Sequence, residues 1–334
     1  MNRNHPSMAG PAVRVRRAAA LQLHMPMKSP ASCLLALVLG AHGLAFAQPA
    51  PKPAISRQLA FSPAATNEFT FDTGVLRGKL RAGGKSRGLS SVVHLPTGVT
   101  LDGSLGLFGH YRVFSANHRY GHAAWAWPSH ARLRPDGSVE VRWPAADDRP
   151  FELRALYRWI APNTLDLETA VQARTNLLKF ESFLASYFSP GFTNAFVYAR
   201  TNGQSRLIKP DPALPVWQAF PRDDQAVALI QDGRWTFPPS PVDWVIRPRF
   251  ACPLGVRCSP TTGVYALVTA PAQDCFAVLT PIETEGHRSM YLSLFGQDLK
   301  PGQTARARAR LVIGTNLPAQ TIDRFCFTDR RPHR

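Results

Sequence analysis

From residue 66 onward, apolar and polar residues alternate with a period of two in short runs. Clear examples are Asn67–Thr73, Val139–Trp143, Phe151–Trp159 and Leu165–Ala173, with Gly263–Thr269, Phe276–Thr280, Tyr291–Phe295 and Thr304–Ile313 late in the chain. Period two is the signature of strands with one buried face. Turn residues separate the runs: Gly83–Gly88, Pro135-Asp136-Gly137-Ser138 and Pro162-Asn163. Of these, Pro135–Ser138 between two alternating runs predicts a hairpin. Helical spacing is nearly absent, and Thr175–Leu184 is the best helix candidate. The Pro-rich region 200–250, which holds Trp217, Trp235 and Trp244, reads as loops. In Ala305–Arg310 three arginines alternate with three alanines, predicting a charged outer face over a small-residue interior. Many short strands with frequent turns predict an all-β protein, a large antiparallel β-sandwich.

Composition agrees with a folded chain. Of 334 residues, 45% are hydrophobic, 10% aromatic and only 18% charged, too apolar for disorder. The longest apolar run, Leu34–Ala47, is too short to span a bilayer. Preceded by Lys28 and ending in Ala45-Phe46-Ala47, it predicts a secretory signal peptide over residues 1–47, cleaved before Gln48. An extended linker over 48–64, a sandwich domain over 65–315 and a tail over 316–334 complete the expected organisation, with a periplasmic or extracellular location. The formal charge is +17; removing Arg3, Arg14, Arg16, Arg17 and Lys28 with the leader leaves +12. A basic balance favours anionic partners. The chain lacks helix-turn-helix, zinc-finger and RNP motifs, so no nucleic-acid partner is expected. It also lacks Gly-x-Gly-x-x-Gly, P-loop and Gly-x-Ser-x-Gly patterns, so neither a nucleotide cofactor nor a serine-hydrolase elbow is expected.

Cys33 leaves with the leader, and Cys252, Cys258, Cys275 and Cys326 remain. An even count in an oxidising compartment predicts two bridges. Three pairings are open. A local Cys252–Cys258 bridge is expected, with Cys275–Cys326 tying the tail to an earlier strand. Zinc is the rival, but CxxC spacing is missing and no metal site is expected.

Several segments, in order, resemble the galactose mutarotase-like supersandwich family. They are Asn117–His122 followed by Trp125-Ala126-Trp127, the strand pair Arg149–Tyr157 and Asn163–Val171, Ser186-Tyr187-Phe188, Cys275–Pro281, and the terminal turn Leu299–Gln303 before the arginine-rich strand. The likeness spans about residues 65–315. It implies the supersandwich fold and an affinity for carbohydrate. It does not imply mutarotation, because Ser186 and Thr280 stand where the family carries its catalytic His and Glu. Neither hydroxyl exchanges protons near neutral pH.

Residues suited to sugar chemistry remain. His118, His122 and His287 offer acid or base function, Glu181 is a lone acid in an apolar run, and Tyr187 lies close by in sequence. Trp125 and Trp127 suit a stacking platform, while Arg119 and Arg288 suit carboxylate clamps. His287 follows Glu285 at a turn, an arrangement that orients an imidazole. Each also has a plainer reading as a loop, core or ion-paired residue. The resulting expectation is an exported protein that binds or processes a glycan, acidic glycans included. Its alternative is a non-catalytic binding or structural β-sandwich.

Overall fold

The alternating runs form strands. The computed structural model describes residues 59–327 apart from residue 117, all within one compact unit, Ile55–Arg334. The expected leader lies outside the described residues. Three sheets hold the strands, with five, nine and seven members. The nine-stranded sheet runs in the order 204–208, 194–201, 250–258, 264–269, 304–315, 164–173, 151–161, 139–143, 130–133. The seven-stranded sheet runs 245–246, 217–221, 275–281, 289–299, 177–187, 109–115, 118–119. Pairing is antiparallel except between Trp217–Pro221 and Val245–Ile246, which run parallel. The first strand, Ser62–Ala65, begins inside the stretch expected to be linker.

The main core lies where the inner faces of these sheets meet, with Leu153, Tyr157, Leu167 and Leu311 from the nine-stranded sheet and Val113, Phe180, Leu184 and Leu292 from the seven-stranded one. His110 crosses this layer. Its Nδ1 lies 2.8 Å from Ser182 Oγ and its Nε2 3.1 Å from Thr169 Oγ1. Full burial pushes its pKa down to about 3, so it bridges the sheets as a neutral ring. The predicted hairpin is present: Gly137 has φ +78° and Asp136 Oδ1 accepts from Ser138 N at 3.1 Å. Alternation in Thr304–Thr315 resolves as expected, with Ala305, Ala307 and Ala309 buried. Two of the intervening arginines pair with acids of the adjacent strand, Arg310 with Asp166 at 2.6 Å and Arg306 with Glu168, and Arg308 reaches Asp274.

Three sequence expectations are corrected. Thr175–Leu184 is not helical; Leu177–Tyr187 is a central strand. Both its faces are covered, so from Phe180 on every residue is buried and the period-two signal vanishes. Region 200–250 is not all loop: it contains Gln204–Ile208, Trp217–Pro221 and the helix Asp224–Ile230, capped by Asp223 accepting from Ala226 N. The expected bridges Cys252–Cys258 and Cys275–Cys326 do not form; Cys252 is bonded to Cys326, and Cys258 and Cys275 are free thiols. Cys252 and Cys258 share the extended strand Phe250–Cys258. Six residues of strand separate them by about 20 Å, far beyond disulfide reach. Cys275 is buried within the seven-stranded sheet, its Sγ 3.2 Å from Ala277 O. The observed bridge fastens the terminal segment Ala319–Phe325 over the outer face of the nine-stranded sheet, where Ile322 packs with Leu254, Val256 and Leu267.

Candidate functional site

The face of the seven-stranded sheet turned away from the main core carries a second apolar cluster. Strand parity sends Phe183, Ala185 and Tyr187 to this face, while Leu184 points to the main core. The segment 231–244 folds over the cluster and adds Trp235 and Trp244. Two arginine anchors hold that segment. Arg234, fully buried, donates to Glu181 Oε2 at 2.8 Å and to both carboxylate oxygens of Asp232 at 3.0 and 2.8 Å. Arg119 donates to the carbonyls of Phe237, Pro239 and His122 at 3.2, 2.7 and 2.8 Å.

Between this cover and the sheet lies a pocket of about 190 Å³. Its aromatic walls are Tyr111, Tyr187, Trp217, Trp235, Trp244 and Tyr291, with Arg112 and His287 as its charged or titratable groups. Tyr187 and Tyr291 bring their hydroxyls within 3.4 Å. Burial, as the main cause, raises the Tyr291 phenol to about 12 and Tyr187 well above its ordinary value. Both therefore stay protonated at neutral pH and can donate hydrogen bonds. His287 sits at the mouth with its side chain half exposed, its ring 5.7 Å from that of Trp217 and 6.3 Å from that of Tyr187. Glu285 orients it: Oε1 meets Nδ1 at 2.5 Å and Oε2 accepts the His287 backbone N–H at 2.6 Å. This contact engages Nδ1 and leaves Nε2 as the ring nitrogen outside it. Arg257, buried beneath, binds both ends of the His287 loop, donating to Pro281 O at 3.3 Å and Ser289 O at 3.0 Å. Desolvation lowers its pKa to about 10, still a cation at neutral pH.

The sequence-predicted residues distribute unevenly around this pocket. Tyr187 and His287 line it. Trp125 stands behind the wall, stacked on Tyr111 with ring centres 4.3 Å apart and planes 3° apart. His122 flanks Tyr111 with ring centres 6.4 Å apart. The others are placed elsewhere. Trp127 belongs to the main core, its ring beneath the Arg149 guanidinium. His118 is exposed against Tyr120. Arg119 is engaged with backbone carbonyls, and Arg288 turns inward to the carbonyls of Glu283 and Glu285. Glu181 is sealed between Arg234 and Ser293 Oγ, 2.8 Å away, with its pKa raised chiefly by burial. Ser186 Oγ accepts from Phe108 N and Thr280 Oγ1 from Arg257, both in buried positions.

From sequence, Tyr111, Arg112, Tyr291 and the three tryptophans of region 200–250 were given no role in the site. The usable signal was three tryptophans in a segment with little strand pattern, where aromatic side chains have no sheet face of their own to fill. Wider hollows exist, including one of about 380 Å³ on the outer face of the nine-stranded sheet. There Glu152 pairs with Arg142 and Arg154, and Glu140 with Arg134, so the charges answer one another. Among the described residues, no cluster of three or more His, Cys, Asp or Glu is disposed to hold a metal ion, and no helix is long and apolar enough to cross a membrane.

No protein-family model and no curated protein matches the chain significantly. Solved structures do. A protein from Synechocystis sp. PCC 6803 is 10% identical, over 77% of this chain and 98% of that one, with a TM-score of 0.46. A galactose mutarotase related enzyme from Lactobacillus acidophilus is 9% identical, over 75% and 99%, with a TM-score of 0.44. A heparan sulfate lyase from Pedobacter heparinus is 6% identical, over 77% of this chain and 36% of that one, with a TM-score of 0.44. At such identities the likeness concerns chain course alone: the chain is similar to galactose mutarotase-like structures, the class its sequence motifs resemble.

Proposed function

We propose that this chain is an exported protein that binds, and through His287 processes, a carbohydrate in the aromatic pocket on the outer face of the seven-stranded sheet. One observation carries the reading. A concave aromatic site combines flat faces for a sugar ring, protonated phenols for its hydroxyls and an imidazole oriented by Glu285. General acid/base chemistry is the reaction type this set supports, with His287 as proton acceptor and Tyr187 as donor. Trp217 supplies the stacking face, while Tyr111, stacked on Trp125 and lying under the Arg112 guanidinium, forms the wall that carries that cation. Export is part of the proposal and rests on the leader-like sequence at residues 28–47, with the Cys252–Cys326 bridge in support. The basic charge favours acidic glycans over neutral ones.

A glycan array with the chain beginning at Gln48, run beside a sugar-turnover screen, tests this. Binding that weakens about tenfold in Trp217→Ala, with turnover lost in His287→Ala, is the expected result. Binding without turnover by any arm leaves the non-catalytic reading, which the half-exposed position of His287 also accommodates. No interaction with any glycan overturns both.

A further inference from the structure

The pocket contains a cation that the protein does not neutralise. Arg112 is 4% exposed, on the strand Gly109–Ser115, and lines the pocket. Its Nη2 donates to Ser240 O at 2.7 Å. Its Nε and Nη1 reach no acceptor among the described residues. The guanidinium carbon sits 5.1 Å from the ring centres of both Tyr111 and Trp235, so two aromatic faces orient it. None of the pocket's lining residues is an Asp or Glu. At the mouth, the Glu285 carboxylate is committed to His287.

The other buried arginines of this region differ. Arg234 is saturated by Asp232 and Glu181. Arg257 has acceptors for Nε, Nη1 and Nη2 alike. Arg119, close to Arg112, is also surrounded by carbonyls rather than acids, and it feels the Arg112 charge. Arg112 therefore has a second cation, not an acid, as a charged neighbour. Taking an unpaired cation out of water is costly unless a partner arrives. The volume, about 190 Å³, is below the roughly 300–1,000 Å³ of sites for larger ligands and suits one sugar ring.

We infer that Arg112 is the receptor for an anionic substituent, carboxylate or sulfate ester, on a single sugar ring held between Trp217 and the two phenols. The inference rests on the reading that the pocket takes a sugar, and it narrows that sugar to an acidic ring at a chain end. The expected roles are separable: aromatic walls bind the ring and Arg112 selects its charge.

Titration calorimetry with glucuronate, glucose 6-sulfate and glucose tests this. Glucuronate or the sulfate ester should bind about thirtyfold or more tightly than glucose, because a desolvated charge-assisted pair distinguishes them. Which of the two binds more tightly identifies the substituent. In Arg112→Met that preference, read as the ratio of acidic to neutral affinity within the same variant, should disappear. Arg112→Lys, which keeps the charge without the fork, should retain only part of the preference. Equal affinity of the wild-type protein for acidic and neutral sugars overturns the inference and leaves the sugar-binding proposal standing. So does an undiminished preference in a folded Arg112→Met. Absence of binding to all three, with no binding on the array, removes both. The wild-type comparison decides even where Arg112→Met does not fold.

Discussion

Glu181 distinguishes a reactive acid from a structural one. It looks like a proton donor in sequence, yet both its oxygens are occupied: Oε2 by Arg234 Nη1 and Oε1 by Ser293 Oγ, each at 2.8 Å, with the side chain fully buried. Glu181→Ala removes one partner of a buried ion pair, a change that costs about 3–5 kcal/mol. Arg234 keeps its two bonds to Asp232, which places the loss near the lower end, about 3 kcal/mol. At about 2–4 °C per kcal/mol for a domain of this size, the melting temperature should fall by about 6–12 °C. Glu181→Gln keeps the volume, an amide oxygen to accept from Arg234 and an NH2 to donate to Ser293 Oγ. Burial already opposes the Glu181 charge, so its loss should cost only about 1 kcal/mol. Calorimetric melts of both variants, followed by sugar binding on the folded protein, provide the assay. The glutamine variant should bind sugar normally, and the alanine variant should lose binding through release of segment 231–244. An alanine variant melting within about 2 °C of the parent would refute the anchoring argument. A glutamine variant with unchanged melting and binding but no turnover would return Glu181 to the chemistry.

Other expectations concern independent parts of the molecule. His110 has a folded pKa depressed to about 3 from 6.5. The unfolded chain takes up its proton first as pH falls, so the stability from the neutral ring is complete above pH 6.5 and lost downward toward about 3, at about 1.4 kcal/mol per pH unit. Urea unfolding should show this slope, and His110→Asn should flatten it; parallel slopes in the two proteins would dismiss the buried neutral imidazole. Cys252–Cys326 closes a separation of 74 residues, worth about 4 kcal/mol on chain-entropy grounds. A chain beginning at Gln48, unfolded without reductant, should titrate two thiols, and four would show that the bridge is absent. Burial raises the Cys275 thiol to about 12, so it should resist alkylation in the native state. Trp217 is only partly buried, so Trp217→Ala should weaken sugar binding about tenfold with little change in melting; unaltered affinity would move the sugar off this wall.

By itself, the sequence determined the alternating strands, the hairpin at Pro135–Ser138, the arginine–alanine face of Thr304–Thr315 and the all-β class. Each depends on residues near one another in the chain, because strand periodicity and turn chemistry are local. Glu285 beside His287 was legible for the same reason. Only the tertiary structure decided the rest. Leu177–Tyr187 lost its alternation because both faces are covered, and coverage comes from segments distant in sequence. The cysteine partners depended on which strands the tail crosses on the sheet's outer face. Arg112, unpaired, and Glu181, paired, carry no local mark of the difference. Their roles are set by Ser240 and Arg234, brought over the sheet by a loop more than fifty residues further along the chain. Charge neutralisation in a protein interior is a property of three-dimensional neighbours, and the chain order does not contain it.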